Sequence, residues 1–337
     1  MPVDPMQKTT SSRTLAPARR APLLGLLLLA FVTIAGASPQ APEALAAPPR
    51  VPATTRIATI GASVSAGFGN AGELKTKADV PLAVYISALL ADDKAEDVTG
   101  QGDSWFFRDA RRNGKRQVDD ALDTSPTLVI GVDFLFWYAC GRATASDPRR
   151  AKGLEDGLAE LDRIACPIVI GDLPDVAYAL HGKGLFGQPL ISRSMLPREE
   201  ERIAMNRRIR AWAEARGDVA IVPLSVMTER MVQGQPMAVR GNEWTVRDPN
   251  DALQPDLLHP TSRGAIWIAL HIADAATRLE GVSEEAFIWD EVDIQERLGK
   301  ALEASRKARA RKEKERLERR QKADRGREKG DKAQLAR

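Results

Sequence analysis

Two cysteines and three histidines are all that this 337-residue chain offers in the way of soft or imidazole ligands. They form no Cys/His cluster at ligand spacing, so neither a metal site nor a cofactor held through one is expected. No internal repeat is present, which sets aside solenoids and propellers. No apolar run reaches the roughly 20 residues that span a bilayer comfortably. The G-x-S-x-G elbow of the α/β-hydrolase type is missing as well. Aromatic residues are only 5% of the chain, yet five positions in a row from 134 read Phe-Leu-Phe-Trp-Tyr. That cluster is expected to be packing, with Trp137 and Tyr138 as possible pocket walls.

The remaining composition is that of a folded protein. Hydrophobic residues make up 43%, enough for a real core. The net charge of +3 is unevenly spread. From Lys300 to the end there are 16 Lys/Arg against 7 Asp/Glu, which leaves the body mildly acidic. This tail, 300–337, has no apolar a/d seam, so it reads as a charged helix or a disordered arm. A basic arm of this kind suits an anionic envelope polymer or a membrane surface. At the other end, Arg13, Arg19 and Arg20 precede the apolar stretch 21–34, and Ala35-Gly-Ala37 follows. Positive charge, a short apolar core and small residues make an export signal over 1–37, with an uncleaved anchor as the alternative. Residues 38–54 are a Pro/Ala-rich linker. An exported chain would sit in the periplasm or outside the cell, which argues against a nucleic-acid partner. Export also raises the question of a Cys140–Cys166 disulfide. The order of elements puts the two at opposite ends of a sheet, so free buried thiols are expected.

Short Val/Ile-rich runs at 57–60, 127–134, 167–170 and Val219–Val222 read as buried parallel strands, with a weaker fifth at 97–99. Helical spacing falls between them at 80–90, 153–164, 198–215 and 264–279, with Ile203, Ile209 and Trp212 marking the inner face of the third. Strands alternating with helices predict an α/β fold with a parallel sheet covered on both faces. Two longer stretches, 178–196 and 227–255, leave strand ends, where open α/β sheets place their sites. The second contains Gly241-Asn242 between alternating runs, a hairpin signal.

The residues fit for chemistry are few. Ser63 lies in Gly61-Ala-Ser-Val-Ser-Ala-Gly67, just past the first strand, where a turn can present a hydroxyl and backbone N–H groups at the sheet edge. Ser65 is the other serine of that turn. His259 lies in Asp256-Leu-Leu-His-Pro260, and an Asp three residues before a His can accept the ring Nδ1–H and free the other nitrogen to take a proton. His271 sits in an apolar run and reads as a packed helix residue; His181 reads as a surface loop residue.

These two blocks resemble the first and last blocks of the SGNH/GDSL hydrolases, G-D-S-x-S-x-G and D-x-x-H-P, over residues 55–280. The resemblance implies a flavodoxin-like three-layer α/β/α sandwich with a five-stranded parallel sheet. It implies Ser63 as nucleophile, His259 as base and Asp256 as its orienting partner. An oxyanion hole would come from the Ser63 N–H, from Gly102 (with Gly100 second) and from position 133. Two positions depart from the pattern. Ala62 replaces the first-block Asp, and Asp133 replaces the third-block Asn, so a carboxylate stands where an amide donor belongs. The implied activity is hydrolysis of a carboxylic ester, an acyl group on a glycan or a small lipid, through an acyl-enzyme. The alternative is a catalytically impaired domain that binds an envelope glycan or a protein partner. Residues 281–299 would be a C-terminal extension.

Overall fold

A computed structural model describes residues 53–91, 98–141, 148–184, 187–303 and 307. All of them belong to a compact unit that begins at Pro49. The signal-like segment, all but the end of the linker, and most of the basic tail lie outside the described residues.

Five short strands form one parallel sheet in the order β2-β1-β3-β4-β5: β1 (Ile57–Thr59), β2 (Val98–Gly100), β3 (Leu128–Gly131), β4 (Ile168–Gly171) and β5 (Val219–Val222). This is the flavodoxin-like strand order. The sheet is buried on both faces because alternate side chains feed two separate cores. Ile57, Leu128, Ile130 and Val169 pack toward α2 (Leu82–Leu89) and the last α/β helix, Ser262–Ala276. Ala58, Val129, Ile168 and Ile170 pack toward α3 (Ala110–Leu122) and the helices Arg149–Leu161 and Glu199–Arg216. Those two are α5 and α6, and Ser262–Ala276 is α9. Short helices at Ser63–Ala66 (α1), Phe136–Ala139 (α4) and Pro249–Ala252 (α8), with Leu224–Val232 (α7), complete the series.

Two of these helices escape sequence periodicity. In α3 the buried positions are Gly114, Gln117, Val118 and Ala121, too small or too polar to draw an apolar stripe. α7 occupies part of the stretch expected to be loop, burying only Met227 and Met231. Ile203 corrects another expectation. Ile209 and Trp212 are buried in α6, but Ile203 is 41% exposed and faces solvent. The hairpin is present as β6 (Pro236–Val239) and β7 (Asn242–Thr245). Its turn is centred on Arg240-Gly241, one residue earlier than expected, and both have positive φ, 48° and 81°. Packing also runs on past residue 280. Ile294, Leu298 and Leu302 are buried, the last two turns of a helical stretch at 291–303 covering the α2/α9 core.

Cys140 and Cys166 are free, and burial pushes their thiols up to about 12 and about 11, which leaves both unreactive near neutral pH. His271 is packed against Trp267, and its Nε2 is buried with no partner among the described residues. Burial pushes its pKa down to about 4. The unfolded chain therefore takes up a proton near pH 6.5 that the fold resists until about pH 4. Stability from this group is full above pH 6.5 and is lost as pH falls, by about 2–3 kcal/mol over that interval. Urea unfolding at pH 7 and pH 4.5 should show this loss, and His271→Leu should flatten that part of the pH dependence. An unchanged slope in the variant would assign the acid sensitivity elsewhere.

Candidate active site

The carboxyl ends of β1, β2 and β3 meet at the switch in strand order, and each delivers one part of a site. β1 runs through Ile60 and Gly61 into α1, whose first residue is Ser63. Gly61 has φ 143°, and a Cβ there would overlap Asp133 Oδ1 and Ser65 Oγ, so only glycine can make this turn. Its backbone is gripped by Gln117 of α3, whose Oε1 accepts from Gly61 N at 2.7 Å while Nε2 donates to Gly61 O at 2.8 Å. Gln117 is fully buried, and nothing in its Arg- and Asp-rich surroundings announces the role.

Asp133, after β3, does not act as an oxyanion donor. Its Oδ1 accepts from Ala62 N at 3.0 Å, and Oδ2 accepts from Val64 N at 2.8 Å and Ser65 N at 3.2 Å. Ser65 Oγ lies 2.6 Å from Oδ1 and 3.0 Å from Ile60 O. That hydroxyl has one hydrogen for two acceptors, and a proton on Oδ1 would satisfy both. Burial, opposed by these donors, holds the Asp133 carboxyl above the ordinary range, in the direction such a proton requires. The position thus works as an anchor for the serine turn. The expected donor role is replaced because every polar atom of the side chain is already engaged.

The N–H groups of Ser63 and Gly102, beside this turn, have no partner among the described residues. Gly102 lies so close to α1 that a Cβ would come within 2.6 Å of Ala66 N and Ser65 C. Gly100 is different: it is paired with Thr59 inside the sheet, and its Cβ position meets Ala83.

The histidine arrives from the loop between α8 and α9. His259 Nδ1 is 2.7 Å from Asp256 Oδ2, and Asp256 Oδ1 accepts from the backbone N–H of Leu258 and His259 at 2.9 and 3.0 Å. The His259 hydrogen bond and charge lower the Asp256 pKa against the effect of burial, so it is ionised at neutral pH. The turn between them is strained: Leu257 has φ 56°, a conformation that costs a non-glycine residue on the order of 1 kcal/mol. Gln254 ties this loop to the serine loop. Its Nε2 donates to Phe68 O at 2.8 Å and to Pro260 O at 3.0 Å, and its N–H donates to His259 O. Phe68 in turn lies against the imidazole, ring centroids 4.6 Å apart. Neither Gln254 nor Phe68 belongs to a motif, so sequence reading had no signal for them.

Ser63 and His259 line one cavity of about 250 Å³. No hydrogen bond joins Ser63 Oγ to His259 Nε2. The other walls are almost wholly apolar and include Trp105, Phe107, Trp137, Ile191 and Leu258. Ile191 and Met195 come from the loop stretch 178–196, held in place by buried Arg150, which donates to Ala139 O, Ser194 O and Met195 O. Trp137 is a wall, although packing is expected of its cluster, whereas Tyr138 is packed between Phe106 and Phe134. His181 is exposed and His271 is remote in α9.

No family model matches the chain, and no curated protein matches it. Among solved structures it is similar to a Bacteroides fragilis protein described as a "putative acylhydrolase", with 15% identity, 66% of this chain and 87% of that chain covered, and a TM-score of 0.39. No activity is carried from that protein to this one.

Proposed function

We propose that the protein is an exported serine hydrolase that cleaves carboxylic esters through an acyl-enzyme on Ser63. The observation that carries this reading is the Asp256–His259 pair, bonded at 2.7 Å, on the wall of the same cavity as Ser63. The SGNH-like motifs and the flavodoxin-like strand order support it. Asp256 fixes the tautomer with the proton on Nδ1, leaving Nε2 as an acceptor. In the reaction Ser63 Oγ forms a bond to the ester carbonyl carbon as its proton passes to His259 Nε2. The carbonyl oxygen gains the electron pair and is met by the N–H groups of Ser63 and Gly102. Collapse breaks the bond to the alcohol oxygen, which takes the proton from His259. Water then repeats the sequence on the acyl-enzyme and releases the acid.

The hole has two backbone donors and no side-chain donor, because Asp133 is engaged elsewhere. Loss of one donor lowers kcat by on the order of 10²–10³, which points to a modest enzyme and not to an inert one. The lining favours an ester with apolar flanks, such as a small lipid, over an acyl group on a glycan, since among the described residues Ser104 is the only polar wall residue besides Ser63 and His259.

Treatment with a fluorophosphonate followed by peptide mapping is expected to place the adduct on Ser63, together with turnover of 4-nitrophenyl acetate. No adduct and no turnover would remove the esterase reading and leave a ligand-binding domain.

A further inference from the structure

Ser63 also borders a second, smaller and largely apolar cavity of about 70 Å³, walled by Val132, Phe136, Val176 and Leu224, with Asp133 and Asp172 on its lining as well. Three residues line both cavities: Ser63, Trp137 and Leu258. Trp137 and Leu258 therefore form the partition, and the nucleophile sits where the two compartments meet. His259 lines the large compartment and is absent from the small one.

We infer that the two halves of the ester are sorted by size across Ser63: a short acyl group of two or three carbons in the small compartment, and a larger apolar alcohol in the large one. The inference rests on the acyl-enzyme reading above. Its direction follows from proton transfer. The alcohol oxygen must receive its proton from His259, so the alcohol has to depart on the side that His259 lines. The acyl chain takes the other side. A compartment of 70 Å³ is about half the roughly 150 Å³ apolar cavity that takes one benzene ring, whereas 250 Å³ exceeds it. The large side also has an exposed aromatic border. Its rim carries Trp105 and Phe107, 57% and 40% exposed, with Phe107 stacked toward Trp137 at 5.7 Å. An alcohol longer than the cavity can continue over that aromatic rim.

The isomers 2-phenylethyl acetate and methyl 3-phenylpropanoate test the sorting, because they share a formula and are both alkyl esters. For the full-length protein, kcat/KM is expected to favour the acetate by ~100-fold. Along 2-phenylethyl acetate, propanoate, butanoate and hexanoate, kcat/KM should fall ~10-fold or more beyond three carbons. Leu258→Ala and Trp137→Ala, by opening the partition, should each raise the hexanoate-to-acetate ratio by ~10-fold. Turnover with a flat acyl series, or with methyl 3-phenylpropanoate preferred, overturns the sorting and spares the Ser63 reading. Absence of both turnover and fluorophosphonate labelling overturns the two together.

Discussion

Ser63→Ala is expected to lower kcat on 4-nitrophenyl acetate by on the order of 10⁶, and Asp256→Asn by about 10⁴, with the double variant no worse than Ser63→Ala alone. The expected lack of additivity is the informative part. Asp256 acts only by holding the imidazole: its two oxygens take the ring Nδ1–H and the N–H groups of residues 258 and 259. An asparagine of the same shape can keep the backbone bonds but favours the wrong tautomer, so Nε2 no longer accepts the serine proton. Once Ser63 is gone there is no proton to accept, and the second change has nothing left to impair. Circular dichroism should show each variant folded. A 10-fold effect or less for Asp256→Asn would mean that His259 is not the base, and additive losses would mean that the two residues act in separate steps.

The second large effect concerns stability. Asp133→Ala is expected to cost about 3–5 kcal/mol in urea unfolding, because it strands three backbone N–H groups in the serine turn and leaves the Ser65 hydroxyl only Ile60 O as a partner. Asp133→Asn should cost less, about 1–2 kcal/mol, since its carbonyl oxygen can keep Val64 and Ser65 while its amide meets the Ala62 N–H. The raised carboxyl pKa adds a pH signature. The fold holds this proton to a higher pH than the unfolded chain does, so stability from this group declines as pH rises from about 4 through the folded titration. The asparagine variant lacks that decline, and its deficit is largest at low pH. An alanine variant within 1 kcal/mol of the parent would show that the turn does not depend on the carboxyl group.

Much of the sheet is legible in the sequence because a parallel strand buried on both faces must be a run of Val and Ile. Four of the five strands fall on such runs, whereas β2, an edge strand reading Val98-Thr-Gly100 with no buried residue, lies one residue past the weak signal at 97–99. α3 and α7 are not legible, since their inward faces are built from glycine, glutamine, alanine and spaced methionines. The site divides along the same line. Ser63, Asp256 and His259 sit in short, locally constrained motifs and can be read from them. Gln117 and Gln254 act through hydrogen bonds to backbone atoms far along the chain, and Phe68 through a ring contact with His259, none of which leaves a local pattern. Position 133 is the instructive case: an Asp in place of Asn signals a missing oxyanion donor, but only the structure shows that the carboxyl has become the clasp of the serine turn.

Gln254 gives the molecule an order of assembly. The serine turn finds its clasps, Gln117 and Asp133, within the first 133 residues of the chain. The proposed base comes only at residue 259, and its loop is moored by the Gln254 amide, which reaches back 186 positions to Phe68. Contacts of such separation form late, after the loops between them have closed. A growing chain, or one cut after β5, would thus carry a shaped but powerless serine. On the proposed mechanism, the serine gains its base only once the C-terminal third of the chain is in place.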